Sequence, residues 1–226
     1  MVHYLLLENR TQIEDYMKRT LLLLIFSSIL FNNNIFADGK TRGEFPIQVQ
    51  LLSGNVGAGP SIGYNINDMI YVGSDSLSKE ETATSGSVIG TASFKTNLIS
   101  VRFSTWDDSG FYLQAGAGSA DWSMNISGPG YIGTTTMEYS NKMNVKFKWP
   151  GSATMAGLGW NWIADSGFSG GLGFQSIGVG EPEITVTDTE GEATAAEIAE
   201  EETYYKTTFS SYSSALNIYV NFGWNF

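Results

Sequence analysis

The 226-residue sequence has no cysteine and a single histidine, His3. Without cysteine there are no disulfides, cysteine–zinc sites or cysteine nucleophiles. Charge is scarce: Asp, Glu, Lys and Arg make up 15% of residues, against about a quarter in ordinary globular chains. Twelve basic and twenty-three acidic residues give a net charge of −11, the wrong sign for a nucleic-acid contact face. No apolar run reaches the roughly twenty residues of a membrane-spanning helix. Glycine and aromatics are plentiful instead, with 26 glycines and 13% Phe, Trp and Tyr. Glycine at that level opposes long helices, and the aromatics argue against a disordered chain. Many short strands fit this composition.

The N-terminus carries a targeting pattern. In 17–37 (MKRTLLLLIFSSILFNNNIFA), Lys18 and Arg19 form a basic start, Leu21 to Phe31 an apolar stretch, and Ala37 a small residue at a cleavage position. Residues 1–37 are therefore read as a secretory signal peptide, with Met17 as its start and 1–16 as an upstream extension. Residues 38–226 then form the mature domain. It keeps the net charge of −11, because 1–37 holds three basic and three acidic residues. It has no histidine, which removes Ser-His and His-metal chemistry. No catalytic, cofactor or metal residue is assigned.

The mature region reads as strands. In SALNIYVNFGWNF (214–226), Leu216, Ile218, Val220, Phe222, Trp224 and Phe226 share one face, while Asn217, Tyr219, Asn221, Gly223 and Asn225 share the other. That strict period of two marks a long strand with one apolar face. Shorter versions occur at 46–52, 58–66, 98–105 and 153–163; in 168–178 the alternation is expected to break near Ser176. Eight strands result, about 46–52, 57–66, 69–76, 93–105, 110–123, 149–163, 168–179 and 208–226. Asn67-Asp68, Asp107-Asp108-Ser109-Gly110 and Asp165-Ser166-Gly167 supply tight turns, all at one end. The connections 77–92, 124–147 and 180–207 are long and polar. Segments 134–139 and 143–148 either extend strands five and six or add a hairpin that would make a ten-stranded barrel; eight is preferred.

Bulky aromatics gather beside the tight turns: Tyr64, Tyr71, Phe103, Trp106, Phe111, Trp160, Trp162 and Phe168, with Phe222, Trp224 and Phe226 at the same level. This is an interfacial girdle. Short turns at one end, long loops at the other and a lipid-facing apolar stripe define an all-β, eight-stranded antiparallel up-and-down transmembrane β-barrel. Over 44–226 the chain resembles the small outer-membrane barrels of the OmpA, OmpX and OmpW kind. In that family the last strand is an assembly signal with a terminal Phe and an aromatic two residues earlier. Phe226 and Trp224 match it, with Phe222 on the same face; the family's preferred glycine is Asn221 here. The resemblance implies a monomer in the cell outer membrane, with membrane lipid and the barrel-assembly machinery as partners. Unlike full-length OmpA-type proteins, the chain is expected to have no peptidoglycan-binding domain after its eighth strand, and residues 38–226 lack the histidine on which the family's enzymes rely.

The remaining motifs are weak. Gly59-Pro60-Ser61-Ile62-Gly63 matches the nucleophile elbow but has no helix after it and no histidine partner. Gly73-Ser74-Asp75-Ser76-Leu77, only loosely like an esterase box, and Ser76-x-x-Lys79 are read as loop sequence. Arg102 is the one clear lumen charge among the strands, read as an internal packing partner in preference to an anion constriction. Inward glycines (Gly59, Gly63, Gly116, Gly118, Gly157, Gly159, Gly173 and Gly223) leave room for a partly open interior. The acidic segment 181–202 holds nine acidic residues and a short helix within 192–202. A structural, adhesive or small-molecule passage role is expected, without enzymatic activity, with an extracellular ligand approached through 77–92, 124–147 and 180–207. The competing reading is a soluble lipocalin-like barrel, which would bury Trp160, Trp162 and Trp224 around an apolar ligand.

Overall fold

A computed structural model of the chain describes residues 44–104, 110–131, 138–164, 166–191, 193–209 and 212–226. The signal-peptide segment and Trp106 lie outside them. Strands β1 (Ile47–Gly54), β2 (Ala58–Asn65), β3 (Ile70–Ser85), β4 (Val88–Ser104), β5 (Phe111–Tyr131), β7 (Ser152–Ile163), β8 (Phe168–Gly178) and β10 (Ser214–Asn225) form a closed antiparallel barrel. Closure comes from β1 on β10, from Gln48 opposite Asn225 to Gly54 opposite Tyr219. Ile47 and Phe226 exchange backbone hydrogen bonds of 3.0 and 2.8 Å at the seam. A lipid-embedded sheet needs that seam, because hydrocarbon offers no partner to an open edge.

The alternation resolves into an outside and an inside. Leu216, Phe222, Trp224 and Phe226 are between 47% and 65% exposed, while Asn217, Tyr219, Asn221 and Asn225 on the same strand are nearly inaccessible. From Leu216 to Phe226 a strand rises about 33 Å, or about 25 Å along the axis of a barrel tilted near 40°, the height of an outer-membrane apolar band. The lipocalin-like alternative is overturned here, since Trp160 and Trp224 sit on the outer surface. The alternation in β8 runs unbroken, paired without a slip to both β7 and β10; Ser176 is simply a small outward residue.

At the short-turn end, the Asn67 side chain accepts the backbone N–H groups of Met69 and Ile70, closing β2 onto β3. Gly167 turns β7 into β8 with φ at 82°, a conformation open to glycine. Its carbonyl then accepts both the backbone and side-chain N–H groups of Asn225, tying this turn to the last strand.

The opposite end differs from the sequence reading. The segment 77–92 is no loop: β3 and β4 continue, paired to Ser85 and Val88 across Gly86-Ser87. Likewise β5 runs on past its barrel partner β7 and takes β6 (Glu138–Lys148) along its upper half. β6 in turn pairs with β9 (Glu183–Asp188). The acidic connection therefore contains a strand and a helix, α1 (Ala195–Phe209), which runs seven residues beyond the short helix expected within 192–202. So among the described residues the sheet has ten strands, of which eight close the barrel.

Strands β3–β6 and β9, with α1, form an ordered lobe. Ile198, Tyr205 and Phe209 of α1 pack on a core containing Val145, Phe147, Ile184 and Val186. Phe147 meets Tyr205 and Phe209 edge-on at 5.9 and 5.0 Å between ring centroids. Burial, reinforced by the Glu201 carboxylate, pushes the Tyr205 hydroxyl up to about 12. Phe147→Ala should cost the lobe about 3–5 kcal/mol. Limited proteolysis should then cut within 179–213, while the barrel keeps its heat-dependent gel shift. Loss of both together would show that lobe and barrel do not separate.

Candidate functional site

The interior is built in two tiers. Nearest the short turns, inward positions carry Gln48, Gln50, Tyr71, Arg102, Ser104, Tyr112, Asn161, Ser169 and Asn225, all buried. Toward the lobe the same strands turn apolar, with Leu52 on β1, Leu77 on β3, Leu98 on β4, Ala120 on β5, Met155 on β7 and Ile177 on β8. These join Trp122, Phe147 and Trp149 in one apolar cluster that runs from barrel to lobe. The apolar tier closes the barrel at that end.

Arg102 is the centre of the polar tier and is 3% exposed. Its guanidinium carbon lies 4.6 Å from the centroid of the Tyr71 ring and 5.3 Å from that of Tyr112. Nη1 donates long hydrogen bonds to Gln48 Oε1 (3.4 Å) and Gln50 Oε1 (3.5 Å). Asp75 supplies the counter-charge, with Oδ1 at 3.6 Å from Nη2. That carboxylate accepts hydroxyl hydrogen bonds from Ser61 (2.5 Å) and Ser100 (2.9 Å). The sequence reading had Arg102 as the one lumen charge and missed Asp75. The signal was available, because Asp75 stands four residues from Tyr71 on the inward parity of β3.

Tyr71 itself is corrected. Proximity to the turn suggested a girdle residue, but parity decides. Tyr71 pairs with Asn65 and Tyr64 with Val72, so Tyr64 faces out and Tyr71 faces in. Tyr64, Phe103, Trp160, Phe222, Trp224 and Phe226 are exposed on the outer surface; Phe111, Trp162 and Phe168 are partly covered there. Phe111 meets Trp160, and Phe168 meets Trp224, edge-on at 5.0 and 5.2 Å.

The inward glycines do not leave the interior open. Three of them, Gly63, Gly159 and Gly173, are together with Gly73 the surface on which tyrosines lie. A Cβ at Gly63 or Gly73 would strike the Tyr71 ring, one at Gly159 would strike Tyr112, and one at Gly173 would strike Tyr219. Tyr112 and Tyr219 meet hydroxyl to hydroxyl at 2.7 Å, and Gln114 Nε2 donates to Tyr219 (2.9 Å) and to Gln175 Oε1 (3.0 Å). Between these groups, toward the short turns, lies a cavity of about 20 Å³, lined by Gln48, Asn65, Tyr71, Arg102, Ser104, Tyr112, Asn161 and Ile163.

No family model matches the chain, and no curated protein does. Among solved structures it is similar to Acinetobacter baumannii CarO2, with a TM-score of 0.59 at 11% identity over 80% of this chain and 99% of that one. It is also similar to Acinetobacter baumannii CarO, with a TM-score of 0.54 at 12% identity over 81% and 99%. The fold is that of an eight-stranded outer-membrane barrel. At these identities the likeness speaks for the fold alone.

Asp75→Ala should destabilise the barrel by about 3–5 kcal/mol, because it leaves the Arg102 charge buried without a partner. The double variant Arg102→Met with Asp75→Leu should recover most of that loss. Urea unfolding in detergent micelles, followed by the heat-dependent gel shift, reads both; equal losses in single and double variants would show that the pair is not coupled.

Proposed function

We propose that the chain is a non-enzymatic outer-membrane barrel that conducts nothing and serves to hold its folded lobe at the cell surface. The observation that carries this reading is the apolar tier. Leu52, Leu98 and Ile177, each at most 2% exposed, fill the lobe half of the interior, and the cavity beneath them is about one water wide. A passage for small polar molecules would have to break that packing.

The outer belt supports membrane lipid as the surrounding partner, and the terminal Trp224 and Phe226 support recognition by the assembly machinery. A structural or adhesive role falls to the lobe. Its segments 77–92, 124–147 and 180–207 are mostly strand and helix, which gives a contacting partner a fixed shape to meet. A ligand surface of that kind loses less entropy on binding than a flexible loop would.

Purified protein reconstituted in planar bilayers tests the reading. No unitary current above background is expected at any holding potential. Regular current steps from the unmodified chain would contradict it.

A further inference from the structure

We infer that the polar tier holds one monatomic anion of chloride size, bound by the Arg102 guanidinium. The inference goes beyond the reading above, since an ion lodged at one end needs no passage through the barrel.

The first observation is an unfinished set of hydrogen bonds. Arg102 is nine-tenths buried and more, yet its Nε and Nη2 have no hydrogen-bond partner among the described residues. Its Nη1 contacts are at the outer limit of a hydrogen bond. Asp75 does not complete the set, for it stands 3.6 Å away and directs its oxygens at Ser61 and Ser100. Burying a guanidinium with donors unmet is among the more expensive arrangements in a protein interior.

The second observation is the space beside it. Arg102 lines the cavity of about 20 Å³, and its positive charge is the only formal charge in that lining. The Tyr71 hydroxyl and the Gln48 amide line it too and can donate hydrogen bonds, while the Asn65 amide and the Tyr112 hydroxyl are already engaged with the Phe45 carbonyl and Tyr219. Asp75 is not among the lining residues. The volume suits one small occupant. A water would meet the N–H donors alone, whereas a halide also brings negative charge to the part of the guanidinium that Asp75, 3.6 Å from Nη2, leaves uncovered. Asn65, Ser104 and Asn161 stand near the short turns, so the ion enters from that end while the apolar tier blocks the other.

Crystals of the chain refolded in detergent and soaked in bromide supply the test. One anomalous peak is expected in the cavity, in contact with Arg102 Nε or Nη2. Arg102→Gln, which removes the charge, and Ser104→Leu, which fills the cavity and keeps the charge, should each abolish the peak. In solution, replacing gluconate by chloride at constant ionic strength should raise the unfolding midpoint of the unmodified chain and not that of Ser104→Leu. Water alone in the cavity under bromide, a peak that persists in Ser104→Leu, or a midpoint indifferent to chloride would each overturn the inference.

Discussion

Hydrocarbon cannot hydrogen-bond to a peptide group, and the rest of the structure follows from that. The sheet must close, and here it closes where β1 meets β10 through Gln48–Asn225 to Gly54–Tyr219. Closure divides every strand into two faces. The outer face has to be apolar against lipid, so Leu216, Ile218, Val220 and Phe222 are spent there, and none is left to build an interior. Near the short turns the interior is assembled from what alternation leaves there: amides, hydroxyls, tyrosines, glycine and, among the described residues, one ion pair.

An interior made of such groups is held by fit and by hydrogen bonds. Eight strands enclose a space that side chains can just fill. Three tyrosines fill much of it, each lying where a neighbouring strand has glycine: Tyr71 on Gly63 (and on Gly73 of its own strand), Tyr112 on Gly159, Tyr219 on Gly173. Arg102 sits over two of those rings, and Asp75 on the adjacent strand balances its charge. Toward the lobe the polar network gives way to Leu52, Leu77, Leu98 and Ile177, and the same apolar cluster becomes the lobe's own core. Barrel and lobe are therefore joined by packing as well as by chain connection.

How much of this could be read from residues alone depends on where water lies. Within the membrane, lipid on one face and a polar interior on the other impose a period of two, so β10, β7 and the short turns were legible. Parity also placed Arg102 inside. It placed Tyr71 inside too, but grouping aromatics by distance from a turn concealed that. Above the membrane both faces of a strand can meet solvent, and the signal fades. Lys79-Glu80-Glu81-Thr82 is polar throughout, so the upper half of β3 read as loop. In β9 the alternation of Ile184 and Val186 was present, but it was hidden by the acidic residues around it. The helix emerged from Ala and Glu propensity, whereas its length depends on Tyr205 and Phe209 docking against Phe147, a tertiary contact that local pattern cannot supply.

The orientation of β10 is the claim on which the account stands, and the cysteine-free sequence makes it directly measurable. Single cysteines placed from Leu216 to Trp224 can carry nitroxide labels in lipid vesicles, with collisions against oxygen and against a water-soluble nickel complex read by electron paramagnetic resonance. The account predicts high oxygen accessibility at positions 216, 218, 220, 222 and 224 and low accessibility at 217, 219, 221 and 223. The opposite phase, or no period of two, would contradict it.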